Sequence, residues 1–478
     1  MDKKNIADIY KLSPIQKGML FAHLIEPDAG MGFLQTANLY TALDHDCYVQ
    51  AWQQLIERHT TLRAAFFWEN LKEPLQVIMR HVTMPVKQLD WRGRSEAVWR
   101  KDIDALIAAE WDDLFDLTKS PLLRLTLITL DNERSIAVLN FHHINIDGWS
   151  IQVLLDELHT VYAALKQAQT PRLPVVRPFR DYVRWLEKQD LAATVNFWRN
   201  EIADFTTPTG LPDVTRPEGI LSQHGDHNML EATLPSQLVS DINAFLHTTH
   251  FSFSTLMQAA WSLLLARYNE IDDVVTGMIF HGRPTQLDNF ERMIGMFINA
   301  LPVRIKIPHD TTTAIQWIAH CHNRIKEMEK HAFLASGDIH KLSPLRRSQP
   351  LFETLVVDQM FRTSTQRAGA PEPIKTYEKN NFLLTLYLRQ RDLIWLDYAP
   401  VFVDQQTAEN LIQNLFSIVE QIVNNPQIPV AQINLSITDG LPQSRSFMPP
   451  SNGKQPKSQQ SPTFVDLSPQ VDYVAPRN

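Results

Sequence analysis

The sequence predicts a mixed α and β protein built from two halves of similar plan. Three observations predict it. Helical and strand periodicities alternate along the chain. A proline-rich connector at residues 170–178 separates two such runs. Hydrophobic residues make up 44% of the 478 residues, enough to bury a large core.

The elements follow in order. Ser13 and Pro14 are a helix N-cap and a proline at the first helical position, opening a helix to about residue 24. Residues 34–40 read as a strand. Tyr48, Trp52, Leu55, Ile56 and His59 share one helical face. Residues 62–68 and 75–79 look like strands, and 98–111 is helical. Leu123, Leu125 and Leu127 alternate with Arg124 and Thr126, the pattern of a half-buried strand. A turn at Asp131, Asn132 and Glu133 leads into a second strand over 135–142. Residues 151–165 form a strongly apolar helix with Asp156 and Glu157 on its wetter side.

After the connector, helices are expected at 179–188, 238–247 and 254–268, with amphipathic helices at 313–330 and 404–424. Strands are expected at 273–280, 300–307, 351–359, 382–389 and 392–399. From Thr438 onward Pro, Ser, Gln and Asn dominate, so 438–478 reads as a disordered, flexible tail.

Composition excludes several functions. The formal charge of −8, from 45 Lys+Arg against 53 Asp+Glu, argues against a dedicated nucleic-acid binder. Two cysteines, Cys47 and Cys321, cannot build a disulfide framework and fit a reducing cytoplasm. No CxxC, HExxH or Cys/His cluster has metal-ligand spacing, so no metal is expected. No GxxxxGK[ST] or GxGxxG supports nucleotide binding. No secretory signal is read at the N-terminus, and no apolar run approaches the ~18 residues that span a membrane. A cytoplasmic monomer is the expectation.

The chemistry-bearing stretch is Phe141, His142, His143, Ile144, Asn145, Ile146, Asp147, Gly148, Trp149, Ser150. Two histidines end a strand, where successive side chains point to opposite faces. Asp147 follows His143 by four residues, within reach of a tight loop. Gly148 permits close backbone approach. A helix then begins, placing its positive end beside the histidine. A base, a carboxylate and a helix N-terminus together suit acyl transfer, with His as general base and backbone N–H groups stabilising an oxyanion. On the residues alone a structural or surface role for the pair is the commoner outcome. No GxSxG elbow is present, which argues against serine hydrolase chemistry.

Asp147 and Gly148 complete, with His142 and His143, a pattern that resembles the HHxxxDG signature of nonribosomal peptide synthetase condensation domains. Five further segments, collinear with that family, strengthen the likeness: Leu12 to Leu20, which resembles its opening helix; Arg58, His59, Leu62, Arg63 and Phe66, which fit RHxxLRxxF; Phe179, Asp181, Tyr182 and Trp185, which fit [FY]xDYxxW; Gly282-Arg283-Pro284, which resembles its GRP turn; and Ile294-Gly295-Met296-Phe297-Ile298-Asn299, which resembles its IGxFxN segment. The resemblance covers about residues 6–436. It implies two chloramphenicol-acetyltransferase-like lobes in a V-shaped pseudo-dimer, with 1–175 as the lobe carrying HHxxxDG, 176–437 as the second lobe and 438–478 as the tail.

The resemblance implies amide formation, with an ester as a further option, by attack of an acceptor amine on a carrier-bound thioester. By position, His143 would be general base or amine positioner, and His142 its structural neighbour. Asp147 would be a structural carboxylate pairing with Arg63, and Gly148 would bring its N–H near the thioester. Trp149 and Asn299 would line the tunnel. No cofactor is expected on the chain itself; the phosphopantetheine arms belong to donor and acceptor carrier-protein domains. Neither nucleic acid nor membrane is an expected partner. Ala300 stands where the family often has Thr, and Asp358-Gln359 where Glu-Asn is common, which leaves substrate preference open.

Other readings make different demands. An epimerization domain would place Ser before Trp after the Asp, whereas the order here is Trp149-Ser150. A free-standing acyltransferase acting on a soluble amine or alcohol would carry a DFGWG-like segment, which is absent. A non-catalytic, partner-recruiting module would be expected to lose His143 or Gly148. Residues 472–478 resemble the run into a carrier-protein domain, so the chain reads as free-standing or as part of a larger synthetase.

Overall fold

The computed structural model describes residues 3–25, 27, 30, 32–111, 113–212, 214, 227–346, 349–359, 371–378 and 382–437. The first half runs β1 (Ile6–Lys11), α1 (Pro14–Ile25), β2 (Phe33–Thr41), α2 (His45–Arg58), β3 (Ala64–Phe67), β4 (Leu75–Met79), β5 (Val86–Asp90), α3 (Glu96–Trp111), β6 (Leu123–Thr129), β7 (Arg134–His142) and α4 (Gly148–Lys166). After residues 169–178, which form no helix or strand, come α5 (Phe179–Leu186), α6 (Leu191–Ile202), β8 (Asn228–Thr233), α7 (Ser236–Thr249), α8 (Phe253–Asn269), β9 (Asp273–Phe280) and β10 (Asn299–Lys306). The remainder is α9 (Ala314–Glu329), α10 (Ser336–His340), β11 (Thr354–Asp358), β12 (Glu372–Glu378), β13 (Leu384–Leu388), β14 (Leu393–Tyr398) and α11 (Gln405–Asn424).

These strands form sheets ordered β1-β4-β3, β12-β2-β7-β6-β5 and β10-β9-β11-β13-β14-β8. β7 is the pivot of the second sheet. Its residues from Ser135 to His142 are all buried, because both faces are covered. Ala137, Leu139 and Phe141 pack with Leu123, Leu125 and Leu127 of β6 beneath α2 and α4. Ile136 and Val138 pack with Ile128 against Trp99, Ile103 and Ile107 of α3. Period-2 alternation thus serves two cores at once, and both hold His142 and His143 at a fixed height at the strand's end.

One strand of this sheet comes from the second half. β12 pairs antiparallel with β2, and Ile374 packs onto the α3 side. A return contact puts Ile294 into the core beneath α4. In the third sheet, β9, β11 and β13 are mutually parallel neighbours, so their carboxyl ends share one edge. They pack on α8, which is buried without interruption from Phe253 to Ala266, as a helix apolar around most of its circumference requires.

Several expectations shift. The strand expected at 62–68 begins as a 3-10 turn, Thr60–Arg63, before β3. Glu157 is 2% exposed and does not lie on a wet face. It accepts from Arg58 Nε at 3.0 Å and meets His59 Nε2 at 2.8 Å, pinning α4 to the end of α2. β1, β5, β8, β12, α6 and α10 lack a clear sequence signal. The tail expected at 438–478 lies outside the described residues. Among the described residues no helix is long and apolar enough to cross a membrane, and no three His, Cys, Asp or Glu gather as a metal site.

Candidate active site

His142 is the last residue of β7, and a tight turn follows, with Asn145 and Ile146 N–H donating to the His142 and His143 carbonyls. The His143 N–H donates to the Gly32 carbonyl at 2.7 Å. Gly32 has φ +78, and a Cβ there would lie 3.0 Å from His142 Cε1 and 2.9 Å from Met19 Cε. Only glycine fits that approach.

The two rings take opposite roles. His143 Nδ1 lies 2.9 Å from the Ile146 carbonyl oxygen. A carbonyl can only accept, so Nδ1 carries the proton and Nε2 is left with the lone pair. His142 Nδ1 instead accepts the Ile144 N–H at 3.1 Å, which leaves its proton on Nε2. His142 packs edge-on to His23 and Phe115, and His143 edge-on to Phe141. Both histidines are buried, at 4% and 7% exposure.

Gln16 supports this turn from α1. Ser13 Oγ accepts from the Gln16 N–H, and Gln16 Oε1 accepts from the Ser13 N–H, a capping box. Gln16 Nε2 then donates to the Ile144 carbonyl at 2.9 Å. A Ser-x-x-Gln pattern was the available signal for the cap; nothing in it indicated the second contact.

Asp147 caps α4: its Oδ1 accepts the Ser150 N–H at 2.7 Å. The expected partner, Arg63, is not there. Arg63 donates to the carbonyls of Ile56, Glu57, Met79 and Arg80, bracing α2 against β4. Asp147 pairs instead with Arg283, whose Nη2 donates to Oδ1 at 3.0 Å. Arg283 also donates to Ser150 Oγ at 2.9 Å and, through Nη1, to the Phe290 and Met293 carbonyls. Asp147 Oδ2 accepts the Phe297 N–H at 3.2 Å, while its own N–H donates to the Gly295 carbonyl. Asp147 is 0% exposed. Burial pulls the Arg283 guanidinium below its ordinary range, and the Asp147 carboxylate opposes that pull. The pair is thus a buried ion pair, hydrogen-bonded through both Asp147 oxygens and both terminal Arg283 nitrogens, that joins the two halves, which makes its loss costly.

Gly148 opens α4, so its N–H heads the positive end of that helix. Gly148 is half-buried, and a Cβ there would meet nothing within 4 Å. The space that a Cβ would take at this first residue of the helix is therefore open. Trp149 is also half-buried; its indole N–H donates to the Glu291 carbonyl at 2.8 Å. Asn299 starts β10, and its Nδ2 donates to the Ala332 and Leu334 carbonyls at 2.9 and 2.7 Å. These contacts fix the turn before α10. The structure thus gathers His142, His143, Asp147, Gly148 and Trp149 at one turn, with Arg283 in the place expected for Arg63.

The arrangement offers a base with a fixed lone pair beside a helix N-terminus and open space, the parts that acyl transfer uses.

The Condensation domain family model matches residues 6–439. Subunits B and C of the linear gramicidin synthase of Brevibacillus parabrevis are 31% and 29% identical to the chain, each over 90% of it. The chain spans only 8% and 6% of their lengths. Among solved structures, the X-domain in complex with OxyB from teicoplanin biosynthesis aligns with TM-score 0.75 at 24% identity, covering 91% of this chain and 98% of that one. A four-domain nonribosomal peptide synthetase bound to AMP and glycine aligns with TM-score 0.76 at 17% identity, covering 91% of this chain and 34% of that one. At those identities the likeness is one of fold: mixed α/β lobes of the condensation-domain kind. With the family model spanning nearly all the described residues, the chain belongs to the condensation-domain family of nonribosomal peptide synthetases.

Proposed function

We propose that this chain joins a donor acyl or peptidyl thioester to an acceptor amine, both carried on phosphopantetheine arms of partner carrier-protein domains in the cytoplasm. The acceptor nitrogen attacks the thioester carbonyl carbon. His143 Nε2 takes the proton that nitrogen must lose. The C–S bond breaks, the donor thiolate leaves, and that proton passes to sulfur. The product is an amide on the acceptor arm; a hydroxyl acceptor would give an ester by the same steps. The N–H of Gly148 faces the carbonyl oxygen as charge develops on it. Asp147 does not touch substrate; with Arg283 it holds the loop. The two lobes are 1–175 and 176–437, with β12 lent by the second to the first, followed by the segment 438–478.

The observation that carries this reading is the contact of His143 Nδ1 with the Ile146 carbonyl, which leaves Nε2 as the acceptor. It is tested by supplying acyl-loaded donor carriers and aminoacyl-loaded acceptor carriers and weighing the intact acceptor carrier. A mass gain equal to the donor acyl group, absent without the chain, is expected. No gain with any donor and acceptor pair would remove the reading.

A further inference from the structure

A second imidazole reaches the same turn from the other half of the chain. His281 directly follows β9, and the β9–β10 ladder pairs Phe280 with Asn299, so the chain leaves the sheet beside Asn299. It then turns at Gly282, whose φ is +59 and whose Cβ would lie 2.2 Å from the Phe297 carbonyl oxygen. That turn brings both neighbours of Gly282 to Trp149. The His281 ring lies edge-on to the indole with centroids 5.9 Å apart. The Arg283 guanidinium carbon lies 5.3 Å from the indole centre. Trp149 adjoins Gly148, where the open space is. Gly148, Trp149 and His281 are half-buried, whereas His142, His143, Asp147 and Ser150 are buried. His281 thus meets the residue that follows Gly148 on α4 and lies within electrostatic reach of Asp147.

Its charge state suits a hydrogen-bond acceptor. Burial pushes the imidazole below its ordinary value. Asp358, Asp147 and Glu329 pull the other way, and Arg283 adds to the lowering. Asp358 ends β11, next to β9, and accepts a hydrogen bond from Ser254 at the start of α8. A neutral imidazole keeps one nitrogen lone pair.

The attacking group needs such an acceptor. A primary amine brings a lone pair and two N–H bonds to the thioester. His143 Nε2 receives one N–H. The other leaves the nitrogen free to rotate about its carbon bond unless a second group holds it, and orientation of that kind is worth orders of magnitude in rate. We propose that His281 binds the attacking amine, accepting the N–H that His143 does not take. The proposal rests on the amide-forming reading above. It assigns the amine one contact from each half of the molecule, so that the reaction depends on their docking.

Three substitutions separate this role from packing on Trp149. His281→Phe keeps a ring against the indole and removes the acceptor. His281→Asn and His281→Gln keep an acceptor and remove the ring. Single-turnover rates are read at saturating acceptor carrier, with the melting temperature of each variant. The expected result is a fall of about 10²-fold for Phe, with Asn or Gln within about tenfold of wild type. If the Phe variant does not fold, His281→Leu replaces it. A Phe or Leu variant as fast as wild type, or Asn and Gln variants both as slow as Phe, overturns the proposal. If wild type itself makes no product, the amide-forming reading fails and takes this inference with it. An active wild type with a slow His143→Ala and an unaffected Phe variant removes this inference alone.

Discussion

His142 and His143 are neighbours in sequence with opposite protonated nitrogens, because each ring meets a different backbone group. The sequence shows two histidines at a strand end; the difference between them appears only when the turn closes. Gly148 gives the sharpest test at this scale. Its φ is not positive, and a Cβ would meet nothing within 4 Å. Gly148→Ala should therefore leave the melting temperature unchanged or slightly raised, since alanine is the better helix former. Its methyl would occupy the space the thioester needs, so turnover should fall by about 10²-fold, the scale of a 1 Å misplacement. Unchanged turnover would mean that the substrate does not enter there. Arg63 shows how a residue can be read correctly as important and wrongly as a partner. Its guanidinium is drawn to two backbone carbonyls at the end of α2 and two at the end of β4, and Asp147 meets an arginine 136 residues along the chain. No local spacing encodes that pairing.

Elements with a dense apolar pattern were legible to within a few residues. β9 matches its expected span of 273–280, α9 differs by one residue at each end, and α11 differs by one residue at its start. The elements missed are mostly edge strands. β1, β5 and β8 contain no buried residue, and they exist because a neighbour supplies a ladder, which propensity does not report. The wet face assigned to Glu157 failed for a related reason: α4 is covered there by α2. Burial raises the Glu157 carboxyl, but the hydrogen bonds and charges of His59 and Arg58 outweigh it and hold the group below its ordinary range. A depressed folded value contributes stability that is present above the unfolded value and is lost as pH falls through the folded one. Glu157→Gln should thus melt earlier than wild type at pH 7, and the gap should close below about pH 4. A gap that persists unchanged to pH 3 would contradict this pairing.

At the scale of the whole molecule, the two halves are tied by strand β12 in the second sheet, by Ile294 in the core beneath α4 and by the Asp147–Arg283 pair. The sequence announced two runs of similar plan and a connector, but it gave no sign of a strand lent across. Such ties should make the described body unfold in one calorimetric transition. Arg283→Met should lower that transition, by about 3–5 kcal/mol of stability, because it leaves Asp147 buried without its cation. Two well-separated transitions in wild type would show the halves to be independent.

The central claim is that His143 Nε2 handles the proton of the attacking amine. It is tested most directly by comparing single-turnover amide formation by wild type and His143→Ala with matched loaded carriers, alongside the melting temperature of each. The expected result is a rate lower by about 10²–10⁴ at an unchanged melting temperature, the usual cost of losing a general base or its positioning. A near-normal rate in a folded His143→Ala protein would contradict it.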